Sequence, residues 1–337
     1  MQTFFASIFV LGILIFFHEL GHFIIAKWVG IKVNEFSLGF GPKFVDFKRG
    51  ETIYSVRVFP LGGFVKMEGE DEKTEDERGF SNKPIWQRIS VVSAGPFMNF
   101  VLALILIWII GFFTGITTNV IHEITPGGPA DIAGLKPGDR IIQINDYKVD
   151  EWDEVVSIIS RNPGKELTIG VMRGTDIEQY QVVPETVKSE MGERGIIGIK
   201  SQILKHDFLK SLQYAFKKVI WVIVNIIAGI VLMIQKRAAV DIIGPVGIIY
   251  LVGEAARFGI FDLLSLASFI SINLGLFNLL PIPALDGGRI FFILVELVRG
   301  KPLDPNKEGL IHFIGFAILM LLMFLVLFKD IVRFNLL

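Results

Sequence analysis

Phe16-Phe17-His18-Glu19-Leu20-Gly21-His22-Phe23-Ile24-Ile25 is the stretch on which the reading of this chain turns. On a helix, His18 and His22 are four residues apart and share one face, so two imidazoles can reach one zinc ion. Glu19 lies beside them and suits a general base acting on the water that zinc activates. A HExxH pattern recurs by chance in long chains, and its setting is what makes it informative. From about Phe4 to Ala26 the residues around it are predominantly apolar, over a length that crosses a bilayer. Ionisable groups at bilayer depth cost about 2.5–3.5 kcal/mol for the most expensive types, so they are kept for a function. The first basic residue is Lys27, beyond the run, so the segment reads as an uncleaved span and not as a secretory signal. Lys27 and Lys32 put its C-terminal end on the cytoplasmic side.

The composition agrees. Of 337 residues, 52% are hydrophobic and 20% charged, which points to a membrane protein with room for two domains. A net charge of −1 leaves no basic footprint for nucleic acid. The chain has no cysteine, which excludes a disulfide framework and thiolate zinc ligands and leaves histidine and carboxylate.

Beyond the first span the pattern changes. Between Val33 and Met67, Phe36, Leu38 and Phe40 alternate, as do Tyr54, Val56 and Val58, with Gly39, Gly41, Pro60, Gly62 and Gly63 as punctuation. Two readings fit: a small cytoplasmic hairpin, or a re-entrant β-loop shielded from lipid by protein, whose free edge could hold an extended substrate backbone. The charge run from Glu68 to Arg78 reads as a solvated loop. A second span runs from about Val91 to Phe113, with Gly95, Pro96 and Asn99 near its start marking close helix contacts. Residues 114–200 are polar, alternating and turn-rich. Strands are expected at Thr117 to Ile124, Arg140 to Asn145, Leu167 to Met172 and Gln179 to Val183, with a helix at Trp152 to Ser160. Residues 201–262 form a helical segment whose sixteen-residue apolar run, Val219 to Ile234, is interrupted by Asn225. The distribution of Arg289, Arg299, Lys301 and Lys307 places it in the interface and not across the bilayer. Further spans run from about Leu263 to Leu280 and from about Ile311 to Phe328. The expected fold is a multi-pass α-helical membrane protein of about four spans, with an inserted α+β domain.

Two histidines leave zinc short of the three protein ligands that a catalytic site needs. Glu35 and Asp46 follow soon after His22, but in strand-like surroundings. Asp286, in Asn278-Leu279-Leu280-Pro281-Ile282-Pro283-Ala284-Leu285-Asp286-Gly287-Gly288-Arg289, is the carboxylate next to the third span in the same apolar context. With the first span running inward, His18 and Asp286 fall at matching depths toward the cytoplasm. His122, His206, His312, Asp241 and Glu254 lack the spacing of a metal site.

The combination of HELGH, FSLGFG with FPLGGFVKM, GPVGI (Gly244 to Ile248) and NLLPIPALDGGR resembles the site-2 protease family of intramembrane zinc metalloproteases, on its bacterial RseP-like branch. The stretch PGGPADIAGLKPGDRIIQIND (Pro126 to Asp146) and the helix after it resemble a PDZ domain, which binds a peptide C-terminus or extended segment as an added strand. The resemblance implies zinc held by His18, His22 and Asp286, and Glu19 as catalytic base. It implies that Asn278 helps to hold the substrate or the oxyanion, and that a re-entrant β-loop containing Gly62, Gly63 and Phe64 contacts the substrate. It implies cleavage of single-span membrane proteins in or near the bilayer, such as anti-sigma factors or remnant signal peptides. The implied location is the bacterial cell membrane, with the PDZ domain (114–200) outside and the active site toward the cytoplasm. Spans one and two occupy 1–113, with the loop at 33–67, and spans three and four occupy 263–337. Some family members carry two PDZ domains where this chain shows one. The competing class is a membrane scaffold that presents a PDZ groove and has no chemistry, which would have no need of three ligands and a base.

Overall fold

An apolar run without proline folds as the first helix, α1 (Gln2–Trp28), with Lys27 in its last turn where the helix dipole favours a cation. The computed structural model describes residues 1–70, 74–189, 192–205, 207–235, 243–301 and 303–333. Part of the charge run, together with His206 and Asp241, lies outside the described residues. The chain divides into two compact units, one of residues 1–110 with 215–337 and one of residues 111–214.

In the first unit, α1 is followed by two long strands, β1 (Val33–Arg49) and β2 (Thr52–Met67). Gly39 and Gly62 take left-handed φ values of 89° and bend them. As a result Phe36 is partnered by both Tyr54 and Val65, and Leu38 by both Val56 and Gly63. Residues 35–38 are therefore flanked on both sides and offer no free edge. The open edge belongs to residues 63–67, which pair with β1 alone among the described residues. Aromatic edges fix this sheet to α1. The Phe36 ring lies 6.2 Å from Phe16 and 5.3 Å from Phe23, on either side of the HExxH turn.

Helix α2 (Ile85–Thr114) returns alongside α1. His22 meets Val91 and His18 meets Asn99, so the two helices run antiparallel. The second unit follows in sequence, after which the chain resumes as α5 (Phe208–Ile234), α6 (Pro245–Phe258), α7 (Ile260–Asn278), α8 (Asp286–Arg299) and α9 (Pro305–Arg333), the numbers α3 and α4 belonging to the second unit. Ser271 Oγ donates to Asn99 O at 2.8 Å, while a Cβ at Gly275 would lie 2.9 Å from Pro96 O. Helix α7 is thus antiparallel to α2 and parallel to α1. Ala6, Val10 and Leu14 of α1 share one buried cluster with Leu102, Leu106, Leu263 and Ala267. Arg88 at the start of α2 makes a two-pronged ion pair with Glu296 of α8, at 2.6 and 3.0 Å.

Five helices among the described residues are long and apolar enough to cross a bilayer: α1, α2, α5, α7 and most of α9. That is one more than the four expected from sequence, the extra being α5. Asn225 does not interrupt it, because its Nδ2 donates to Trp221 O at 2.9 Å within the same helix.

The second unit is β-rich. Its strands β3 (Ile116–Ile124), β4 (Arg140–Ile144), β5 (Tyr147–Lys148), β6 (Leu167–Arg173), β7 (Asp176–Val182) and β10 (Ile199–Leu204) form one sheet in the order β10-β3-β4-β6-β7, with β5 on β4. A separate pair is made by β8 (Glu185–Ser189) and β9 (Gly192–Ile196), and the helices are α3 (Pro129–Ile132) and α4 (Trp152–Ser160). Apolar alternation buries Ile121, Ile141, Ile144, Ile169 and Val171 against Val155 and Ile159 of α4. Helix α4 opens on a capping box between Glu151 and Glu154. Asp139, only 1% exposed, receives two 2.7 Å bonds from Arg173. The chain is a multi-pass α-helical membrane protein with an inserted β-rich unit.

Candidate metal centre

The HExxH turn projects both imidazoles from α1 toward the start of α8. His18 Nε2 and His22 Nε2 are 3.3 Å apart, and the same Asp286 Oδ2 lies 3.2 Å from the first and 3.6 Å from the second. The three side chains are 13%, 11% and 19% exposed. Tetrahedral zinc with bonds of about 2.0–2.1 Å needs ligand atoms about 3.3–3.4 Å apart, so these three atoms mark the edges of one zinc tetrahedron. Direct charge-assisted hydrogen bonds would draw the atoms closer, to about 2.7–2.9 Å. Two imidazoles and a carboxylate, with no sulfur, are a donor set that zinc accepts in catalytic sites. The residues present therefore fit zinc.

Asp286 lies beyond the helix of the third span and not within it. It opens α8 after a break at residues 279–285, and the helix N-terminus there favours a carboxylate. The break is tightly folded. A Cβ at Gly287 would stand 2.1 Å from Leu280 O, and one at Gly288 2.4 Å from Ile282 O, so neither glycine can carry a side chain without moving backbone. Ala284 holds a left-handed φ of 75°, and its N–H donates to His312 Nδ1 of α9 at 2.9 Å. His312, set aside above for lacking the spacing of a metal site, thus braces the loop that carries Asp286.

Helix α2 supplies the other wall. Val91 O accepts from His22 Nδ1 at 2.8 Å, which leaves Nε2 with its lone pair toward Asp286. One turn on, a Cβ at Gly95 would lie 2.2 Å from His22 Nε2, so the ring occupies the space a side chain would need. Another turn on, the Asn99 side chain lies 3.0 Å from His18 Nδ1. Sequence reasoning marked Gly95 and Asn99 for helix packing and did not connect them with the histidines. Their spacing of four on a helix facing HExxH was the available signal.

Glu19 lies within electrostatic reach of His18, His22 and Asp286. Its Cγ would be 2.9 Å from a Cβ at Gly63, so β2 runs directly against it. Gly62 and Phe64 flank that contact. The Phe64 ring stacks on Phe40 at 6.4 Å and lies under the Arg57 guanidinium at 5.0 Å. Asn278 closes α7, half-buried, and its side chain makes no hydrogen bond to the described residues. The structure thus brings His18, His22 and Asp286 together and sets Gly63 beside Glu19, while Asn278 stands at the end of the span leading to Asp286.

Two histidines and an aspartate able to hold one metal ion, with a glutamate alongside and apolar helices and strand β2 around them, make up the arrangement of a zinc peptidase centre within a membrane domain. The chain belongs to peptidase family M50, whose model matches residues 6–322. It is 35% identical over 418 aligned positions to the regulator of sigma-W protease RasP of Bacillus subtilis, covering 99% of this chain and 99% of that protein. A Clostridium acetobutylicum protein is 39% identical over 328 positions, covering 97% of this chain and 96% of its own length. The longer alignment exceeds the 337 residues here, so the Bacillus protein carries segments that this chain lacks. Among solved structures, the PDZ domain of the SdrC-like protein Lin2157 from Listeria innocua aligns at 24% identity with a TM-score of 0.22, covering 28% of this chain and 99% of that domain. The chain is an intramembrane zinc-dependent endopeptidase of bacterial type.

Proposed function

We propose that the chain cuts single-span membrane proteins within or next to the bilayer, with His18, His22 and Asp286 as the zinc ligands and Glu19 as the general base. The observation that carries the reading is the near-equal spacing of the three donor atoms at the edge length of a zinc tetrahedron. When bound, zinc supplies Lewis acidity, polarising a carbonyl and lowering the pKa of water. Glu19 takes the proton from the attacking water and later returns one to the leaving amine. The Asn278 amide, without a hydrogen bond among the described residues, donates to the oxygen on which negative charge develops. The open edge that starts at Gly63 and Phe64, just after the bend at Gly62, pairs with the substrate backbone, holding it extended beside Glu19 where a helical peptide bond would be shielded.

Four crossings suit this site better than five. Since α1 and α7 are parallel, both start on the same side, and basic residues after α1 make that side extracytoplasmic. Gln2 Nε2 donates to Ala256 O at 2.8 Å, tying the end of α6 to the start of α1. The other end of α6 is capped by Asp330, which accepts from Gly244 and Gly247 N–H at 3.2 and 2.8 Å. Asp330 lies about 22 Å along α9 from Gly315, which abuts Pro283. Both ends of α6 thus belong to the outer side. Were α5 a crossing, its end would lie on the side opposite both ends of α6, and the nine residues 235–243 would have to cover the bilayer core of about 30 Å, which is close to their fully extended reach of about 32 Å. Helix α5 therefore lies in the interface, and residues 111–214 form an extracytoplasmic, PDZ-like unit that takes a peptide C-terminus or an extended segment.

The test is a pair of variants in purified protein. Glu19→Gln is expected to keep stoichiometric zinc and to lose cleavage of a single-span substrate, and Asp286→Ala to lose both. Full cleavage by Glu19→Gln, or undiminished zinc in Asp286→Ala, would remove those residues from their roles.

A further inference from the structure

The two imidazoles are supported unequally. His22 Nδ1 faces a backbone carbonyl, which can only accept, so its tautomer is settled by main chain. His18 Nδ1 faces the side-chain amide of Asn99, which is fully buried. The amide nitrogen is drawn 3.0 Å from the ring nitrogen, while Asn99 Oδ1 is buried without a partner. If His18 Nε2 gives its lone pair to zinc, Nδ1 must carry the hydrogen, and an amide N–H opposite it sets donor against donor. Turning the amide by 180° about its terminal torsion puts Oδ1 on the ring N–H, the choice that the hydrogen-bond network itself dictates.

We propose that Asn99 is a positioning residue of the metal centre: its Oδ1 accepts the Nδ1–H of His18 and so holds the tautomer and ring direction in which Nε2 faces zinc. The inference rests on the reading above that His18 is a ligand through Nε2. Metal-bound histidines ordinarily donate their other nitrogen to an oxygen acceptor, and such partners tune affinity strongly. Residue 99 is also tied elsewhere by main chain, since its carbonyl accepts from Ser271 Oγ of α7 at 2.8 Å. The helix contact therefore survives changes to the side chain, which separates positioning from packing. Val91, Gly95 and Asn99 recur every four residues, so one face of α2 supports both ligands. Of the two supports, only Asn99 is a side chain that substitution can remove.

The experiment uses the full chain in detergent, with zinc affinity measured by chelator competition and the visible spectrum of the cobalt-substituted protein as a second readout. Asn99→Leu removes the acceptor at similar size and is expected to lower zinc affinity about 10–100-fold and to alter the cobalt spectrum, with thermal unfolding of the metal-free protein unchanged. Asn99→Asp keeps an acceptor oxygen and is expected to restore both readouts. Wild-type zinc affinity in Asn99→Leu would overturn the proposal, as would equal loss in the Leu and Asp variants. If the wild-type chain bound no zinc, the ligand reading itself would fall, and this inference with it.

Discussion

Gly95→Ala is the sharpest test of the way α2 shapes the metal centre. The added methyl would stand 2.2 Å from His22 Nε2, 2.6 Å from Cε1 and 2.8 Å from Cδ2, with ordinary contact beginning near 3.4 Å. The ring would have to retreat by about 1.2 Å, whereas metal–ligand distances hold to about 0.2 Å. Retreat is also resisted, because Nδ1 is held at 2.8 Å by Val91 O. Overpacking of this kind costs about 1–3 kcal/mol of stability. The metal should suffer more. Loss of a supporting hydrogen bond alone costs up to about 100-fold in affinity, and here a donor atom itself is displaced. Zinc affinity is therefore expected to fall at least about 100-fold, with cleavage falling in step. Chelator competition and elemental analysis of purified protein would measure it, with Gly12→Ala as control. That position lies on α1 with open space around it and should leave zinc unchanged. Full-affinity zinc in Gly95→Ala would refute the packing argument.

Gly63→Ala should act on the base instead of the metal: its methyl would meet Glu19 Cγ at 2.9 Å, so kcat should fall about 100-fold while zinc content stays whole, which paired kinetics and metal analysis would establish. Arg88→Met would leave Glu296 poorly solvated and unpaired, costing about 3–5 kcal/mol in thermal unfolding, and Arg88→Met with Glu296→Leu should recover most of it. In the β-rich unit, burial works to raise the Asp139 pKa, but the Arg173 guanidinium and the Lys136 N–H outweigh it and hold the carboxyl below its ordinary value. A carboxyl depressed on folding adds stability that is complete above its unfolded pKa of about 3.9 and is lost as pH falls through the folded value. Asp139→Asn should therefore cost about 1.5–3 kcal/mol at pH 7, with the gap to wild type closing below about pH 4, as read by unfolding at several pH values.

Much of the candidate site was legible because the residues that come together there are chemically distinctive. His18 and His22 announce themselves by helical spacing, and Asp286 by being acidic in apolar surroundings after a proline-broken stretch. The supports were hidden for a physical reason. Val91 contributes a carbonyl, which every residue has, and Gly95 contributes the absence of a side chain, so residue type carries almost no signal for either. His312 was discounted because histidines that brace a loop need no ligand spacing. The strands at 33–67 showed in their alternation. Their doubled register did not, since it depends on glycine-permitted bends that bring distant segments to both sides of Phe36. Helix α5 shows the limit of span counting. Its length and apolarity match a crossing, whereas the basic residues Arg289, Arg299, Lys301 and Lys307 and the placement of α6 between Gln2 and Asp330 argue otherwise.

The parallel packing of α1 and α7 also sets a clock. His22 and Asp286 stand 264 residues apart in the chain, on elements that meet only after the intervening spans are in place. At roughly 5–20 residues per second of translation, the ribosome delivers the aspartate about 13–53 s after the second histidine. Throughout that interval the nascent first span rests in lipid with an incomplete donor set. With Asp286 as the proposed third ligand, hydrolytic competence would arrive only with the last sixth of the polypeptide, and a chain abandoned midway through synthesis would be inert toward its neighbours in the bilayer.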